Sequence, residues 1–146
     1  MKTLLFLTIG LLLFACGSNK TVSDQNNTSE KPISNTRLHD IWVLTHIKGS
    51  SIKSFQNPPN MELNIASLRV MGFGGCNQYG GTIVSTTATT ITFGDIMATE
   101  MACDNLATES TFLNELQGKL TYSIKNLTLL LYNDTSTEVL RFKKVD

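Results

Sequence analysis

Apolar and polar positions alternate along much of this chain, and the alternation predicts strands. Met61, Leu63 and Ile65 fall on one side while Glu62 and Asn64 fall on the other, the pattern of a strand half buried in a sheet. Ile41–Ile47 is rich in strand formers and reads as a first strand, with His46 a half-buried polar residue within it. After the short Ala66-Ser67 turn come Leu68–Phe73, then Gly81–Val84, then Thr89–Phe93 with Ile91 and Phe93 on one side. Leu120–Ile124 leads through Lys125-Asn126 into Leu127–Tyr132, a two-residue link of the kind that makes a tight hairpin. The last strand is Val139–Lys143, with Leu140 and Phe142 facing inward. These make eight predicted strands. One stretch breaks the period. Leu106, Phe112, Leu113, Leu116 and Leu120 recur at spacings of three, four and seven, which predicts a helix over 105–117. Asp104 is its expected N-cap, and Gly118 stands where a helix end favours positive φ. A lone helix among antiparallel strands covers an open end or edge of a curled sheet.

The first residues follow different rules. Lys2 precedes an apolar run from Leu4 to Phe14, then Ala15 and Cys16, which reads as a signal peptide over 1–15. The run is too short to span a bilayer, which needs about 20 apolar residues. A cysteine at this junction resembles the lipobox of bacterial lipoproteins, and that resemblance implies a lipid on Cys16 after cleavage. Gly17, in place of an acidic residue, resembles the sorting pattern that directs such proteins to the outer membrane. From Gly17 to Arg37 the chain is polar, with Val22 and Ile33 as its larger aliphatics. So 16–37 is expected to be a lipidated cysteine and a disordered tether, and 38–146 a single domain.

Composition narrows the function classes. Charged residues make up 16% of the chain and the formal net charge is zero. There is no basic field for nucleic acid, so membrane attachment is expected to come from lipid rather than from surface charge. With Cys16 assigned to lipid, Cys76 and Cys103 remain as an even pair in a chain that has left the reducing cytosol. A metal pair or a nucleophile is the competing reading. Yet no C-x-x-C spacing exists and only His39 and His46 are available, so the disulfide is favoured. No metal site and no cofactor is expected.

Two segments carry the remaining signal: Gly72–Gly81, which reads GFGGCNQYGG, and Thr99–Cys103, which reads TEMAC. A glycine cluster beside a strand suggests a phosphate cradle, but that requires a following helix, and here a strand follows. The structural reading is a sharp reversal in which glycines allow positive φ or close backbone approach, and in which Asn77 bonds neighbouring backbone. Trp42-Val43-Leu44, Gly72, Gly75-Cys76-Asn77, Tyr79, Gly80-Gly81, Thr99, Met101-Ala102-Cys103, Glu109, Phe112 and Leu116 together resemble the META domain family, which includes HslJ-like heat-shock lipoproteins. Thr82 departs from the aromatic usual there. The resemblance implies a small barrel-like antiparallel sheet with one packed helix. Members are often secreted or lipid-anchored and are loosely linked to envelope stress. No biochemical activity comes with it.

The reading is therefore a non-enzymatic, lipid-anchored envelope protein that binds an envelope partner or supports envelope homeostasis. Asn77, Gln78 and Tyr79 are the candidate binding residues on the turn. The alternative is a carrier of a small apolar ligand in the barrel mouth, lined by Leu127, Leu129, Leu131, Leu140 and Phe142. Catalysis lacks a base–nucleophile constellation: Glu62, Asp95, Glu100 and Glu109 form no obvious carboxylate pair in sequence.

Overall fold

The computed structural model describes residues 36–52 and 55–145. The expected signal peptide, Cys16 and the tether up to residue 35 lie outside the described residues. Thr36–Leu38 form a short 3-10 helix whose Leu38 is fully buried and whose carbonyl accepts the Trp42 indole N–H at 3.0 Å. Thr36 and Arg37, expected at the end of the tether, thus belong to the fold.

Nine strands follow: β1 (Asp40–Ile47), β2 (Ser50–Ser51), β3 (Asn60–Asn64), β4 (Arg69–Phe73), β5 (Gln78–Thr86), β6 (Thr90–Ala98), β7 (Gly118–Lys125), β8 (Thr128–Tyr132) and β9 (Glu138–Lys144). One helix, α1 (Leu106–Glu115), lies between β6 and β7. Each long strand pairs antiparallel with its successor, and β9 returns to pair with β1, with Trp42 opposite Lys144 and Ile47 opposite Leu140. The result is a closed eight-stranded barrel to which β2 adds a two-residue pairing on the upper half of β1. Register shifts mark the bends that closure needs, between Leu44 and His46 in β1 and on either side of Ile83 in β5. Eight strands enclose a space that side chains can fill. Here Trp42, Leu44, Met61, Leu63, Val70, Ile83, Ile91, Leu129, Leu131, Leu140 and Phe142 fill it.

Strand direction gives the barrel two ends. The basal end carries Thr36–Leu38, the Asn126-Leu127 turn and the end of β9, and the apical end carries α1 and the 74–77 and 133–137 turns. Phe112 on α1 is fully buried and meets Tyr79 of β5 and Phe142 of β9 edge-on, at centroid distances of 5.6 and 6.0 Å. Those strands are diametrically opposed in the eight-membered ring, so Phe112 sits near the barrel axis and the helix closes the apical mouth.

The expected elements are present with four corrections. β5 begins at Gln78 and β6 runs on to Ala98, because the glycine stretch pairs as strand, with Tyr79 opposite Ala98 and Gly80 opposite Met97. The hairpin turn is Asn126-Leu127, one residue later than expected: Lys125 pairs with Thr128 and both turn residues have positive φ, 46° and 62°. Asn105, and not Asp104, caps α1, with no side-chain bond, its carbonyl accepting Thr108 and Glu109 N–H. Leu106 is exposed, so the inward stripe of the helix is Glu109, Phe112 and Leu116.

Candidate functional site

The two segments that stand out in sequence meet at the apical end. Cys76 and Cys103 form a disulfide with Cα atoms 5.8 Å apart, inside the ordinary range. Gly74 N–H donates to the Asn77 carbonyl at 2.7 Å, closing a tight reversal between β4 and β5. Gly75, at φ 112°, makes that reversal possible without a Cβ clash.

Glu109 fills the turn from the helix side. Its Oε2 accepts the backbone N–H groups of Cys76 and Asn77 at 2.9 and 2.6 Å, and its Oε1 accepts the Asn77 side-chain amide at 2.7 Å. The carboxylate is 3% exposed, and no cation pairs with it among the described residues. Three N–H donors and the positive N-terminal end of α1 supply what a buried anion needs. Gly74 leaves the notch it occupies: a Cβ there would stand 2.5 Å from Glu109 Oε2 and 2.7 Å from its Cγ.

Asn77 bonds the other way. Its Oδ1 accepts the Thr99 hydroxyl at 2.8 Å and Met101 N–H at 2.7 Å, and its Nδ2 donates to the Met101 carbonyl at 3.2 Å. One disulfide, one buried amide and one buried carboxylate thus stitch the 74–77 turn, the 99–103 segment and the helix into a single clamp. This is the physical content of the paired sequence motifs. The Cys76 and Asn77 N–H groups, which a phosphate cradle would need, already donate to the Glu109 carboxylate.

The candidate binding residues separate accordingly. Asn77 is buried and every polar atom of its side chain is engaged within the clamp. Tyr79 is buried, packs on Phe112 and donates its hydroxyl to the Asn60 carbonyl at 2.9 Å. Burial pushes its phenol well above the ordinary value of 10.0. Only Gln78 presents its side chain to solvent. Beside it lie exposed residues that sequence reading missed. Met71, Gly80 and Met97 form one cross-strand row, and Met97 is 77% exposed. Gly80 has no side chain, so a cleft of about 490 Å³ opens there, lined also by Arg69, Thr82 and Asp95. The period-two pattern that places Tyr79 inward also places Gly80 outward, which was the available signal once β5 is started at Gln78.

Other candidates sit apart. His39 Nδ1 accepts Ile65 N–H at 3.2 Å, and His46 Nδ1 lies 3.0 Å from the Thr45 hydroxyl. Among the described residues no three His, Cys, Asp or Glu side chains gather as metal ligands. Of the proposed ligand-cavity lining, Leu129, Leu131, Leu140 and Phe142 are fully buried core, while Leu127 is exposed in its turn. Four clefts at the surface of the described residues, 290 to 510 Å³ in volume, are lined by none of those four core residues.

A closed antiparallel barrel, capped by one helix and fastened by a disulfide-centred clamp, defines the class. The chain belongs to the META domain family, whose profile matches residues 36–146. Two solved structures share the fold, both determined by NMR. One superposes with a TM-score of 0.58 at 21% identity, covering 73% of this chain and 90% of its own. The other, from Burkholderia xenovorans, gives 0.56 at 22% identity over 75% and 86% of the two chains. No curated protein matches the chain.

Proposed function

We propose that this protein is a lipid-anchored component of a bacterial envelope, held in the outer membrane through Cys16, and that it acts by binding an envelope partner rather than by catalysis. The observation that carries the reading is how the apical polar groups are used. Glu109 and Asn77 are buried and bonded to each other, buried Tyr79 donates its hydroxyl to the Asn60 carbonyl, and the two thiols are joined. What the clamp leaves outside is a rigid surface of Gln78, Met71, Met97 and the Gly80 trough. Adaptable methionine side chains over exposed backbone suit recognition of another chain. A ligand carried inside the barrel would have to displace the packed core, so the carrier reading gains no support.

Two experiments test this. Intact-mass analysis of the chain purified from membranes should show Cys16 as the acylated amino terminus, and Cys16→Ser should abolish acyl labelling; labelling that persists in that variant refutes the anchor. Gln78→Ala with Met97→Ser should release a co-purifying envelope protein while leaving thermal stability nearly unchanged. Retention of that protein would move the recognition surface elsewhere.

A further inference from the structure

The basal end carries residues the fold does not need. Leu127 is 46% exposed and stands at φ 62°, a left-handed conformation that a leucine enters at a cost. The other two-residue turn of the barrel, Lys48-Gly49, uses glycine at the same place, with φ 76°. A strained apolar side chain held out in solvent points to a contact beyond the fold. Ile41 and Val145, 46% and 45% exposed, adjoin it. Val145 N–H donates to the Ile41 carbonyl, and Lys144 N–H donates to that of Leu127.

Cations surround this apolar patch. Exposed Lys125 and Lys143 flank Thr128 in one cross-strand row, and exposed Arg37 donates to the Ile124 carbonyl. Of the acids at this end among the described residues, Asp40 is paired with Lys144 at 2.7 Å, and Glu62 lies opposite Ile41. The apical end instead carries Glu100, Asp104 and Asp134 against exposed Lys119, while its cations Lys48 and Arg141 pair with Glu115 and Glu138. A formal net charge of zero therefore hides a basic base and an acidic apex.

We infer that the basal end, through Ile41, Leu127 and Val145 with Arg37, Lys125 and Lys143, is a docking face for the anionic surface of a phospholipid bilayer. The chain reaches the barrel at this end. Nineteen residues separate Cys16 from Thr36. As a coil such a segment reaches about 25 Å, less than the roughly 30 Å of a nine-residue strand. A domain so anchored meets its membrane base first. The inference rests on the lipid-anchored reading above and adds to it a second contact that orients the barrel on the bilayer. Each basic residue at an anionic leaflet strengthens attachment about fivefold. A cleft of about 290 Å³ beside Arg37, His39, Trp42 and Leu127 opens within the face, where a headgroup can settle.

The test uses the full chain, methyl-labelled, in phosphatidylcholine nanodiscs with or without phosphatidylglycerol and doped with a gadolinium-chelating headgroup lipid. With phosphatidylglycerol, the Ile41, Leu127 and Val145 methyl signals should broaden about fivefold more than those of Leu106 and Leu113 on α1. The contrast should fall to twofold or less without phosphatidylglycerol, and also in the Lys125→Glu, Lys143→Glu chain, whose methyl spectrum in buffer reports that it is folded. Equal broadening at both ends, or basal broadening that does not depend on anionic lipid, overturns the inference. Intact mass of the same sample reads the anchor separately. Basal broadening in an unacylated chain upholds docking and ends the anchor reading, while uniform broadening in an acylated chain does the reverse.

Discussion

Gly74 and Glu109 should be thermodynamically coupled, and a double-mutant cycle measures by how much. Glu109→Ala removes the acceptor of three buried N–H donors, those of Cys76, Asn77 and the Asn77 side chain. An orphaned buried donor costs about 1–3 kcal/mol, and water reaching the vacated notch should hold the total to about 3–4 kcal/mol. Gly74→Ala introduces a Cβ whose three nearest neighbours, at 2.5, 2.7 and 2.8 Å, are all atoms of Glu109. Either the carboxylate is driven from its donors or the turn backbone yields, at about 2–3 kcal/mol. Once Glu109 is alanine those three atoms are gone, and Gly74→Ala should then cost roughly 0.5 kcal/mol. The double variant is thus expected to be about 2 kcal/mol more stable than the sum of the two single changes, well outside the ~0.5 kcal/mol scatter of independent sites. Urea unfolding followed by the fluorescence of Trp42, the single tryptophan and a buried one, reads each corner of the cycle. Additive costs would refute the argument, since they would mean that Glu109 does not occupy the notch that Gly74 leaves.

Three further outcomes are expected. Reducing the Cys76–Cys103 bond, which joins residues 27 apart, should lower stability by about 3–4 kcal/mol, and alkylation before and after reduction should show both thiols protected in the native chain. Because burial raises the Tyr79 phenol, the unfolded chain releases its proton near the ordinary value of 10.0 while the folded chain keeps it. That contribution is intact below pH 10 and is lost above it, by at most about 1.4 kcal/mol per pH unit. Tyr79→Phe should flatten the alkaline loss in a stability–pH series while costing about 1 kcal/mol at neutral pH through the lost bond to Asn60. Leu127→Gly should raise the unfolding free energy by about 0.5–1 kcal/mol, because it relieves a left-handed leucine; a loss of stability there would show that the Leu127 side chain packs.

The barrel was legible where alternation is clean. Met61 and Leu63, Ile91 and Phe93, Leu129 and Leu131, Leu140 and Phe142 all point inward as their period requires. It was least legible at the site. A search for apolar periodicity passes over Glu109, yet Glu109 is the buried residue that places α1 on the turn; the signal was its place one helical turn before Phe112. Gly80 reads as loop because glycine carries no side chain to alternate, although it pairs as strand with Met71 and Met97. Asn77 and Tyr79 looked like surface groups because their types are polar, and only the clamp reveals that every polar atom they own is taken. Charge misled in another way, since a zero sum carries no information about where along the barrel each sign resides.

Closure of β9 on β1 has a mechanical consequence. A pull arriving through the chain before Thr36 enters β1 almost at once, and β1 is hydrogen-bonded to β3 and β2 along one edge and to β9 along the other. Tension between the basal end of the chain and anything gripping the apex runs along these strands. Their ladders would then be loaded in shear, many bonds at a time, instead of being unzipped singly. A pull on the N-terminal end of the barrel would thus not shed its first strand.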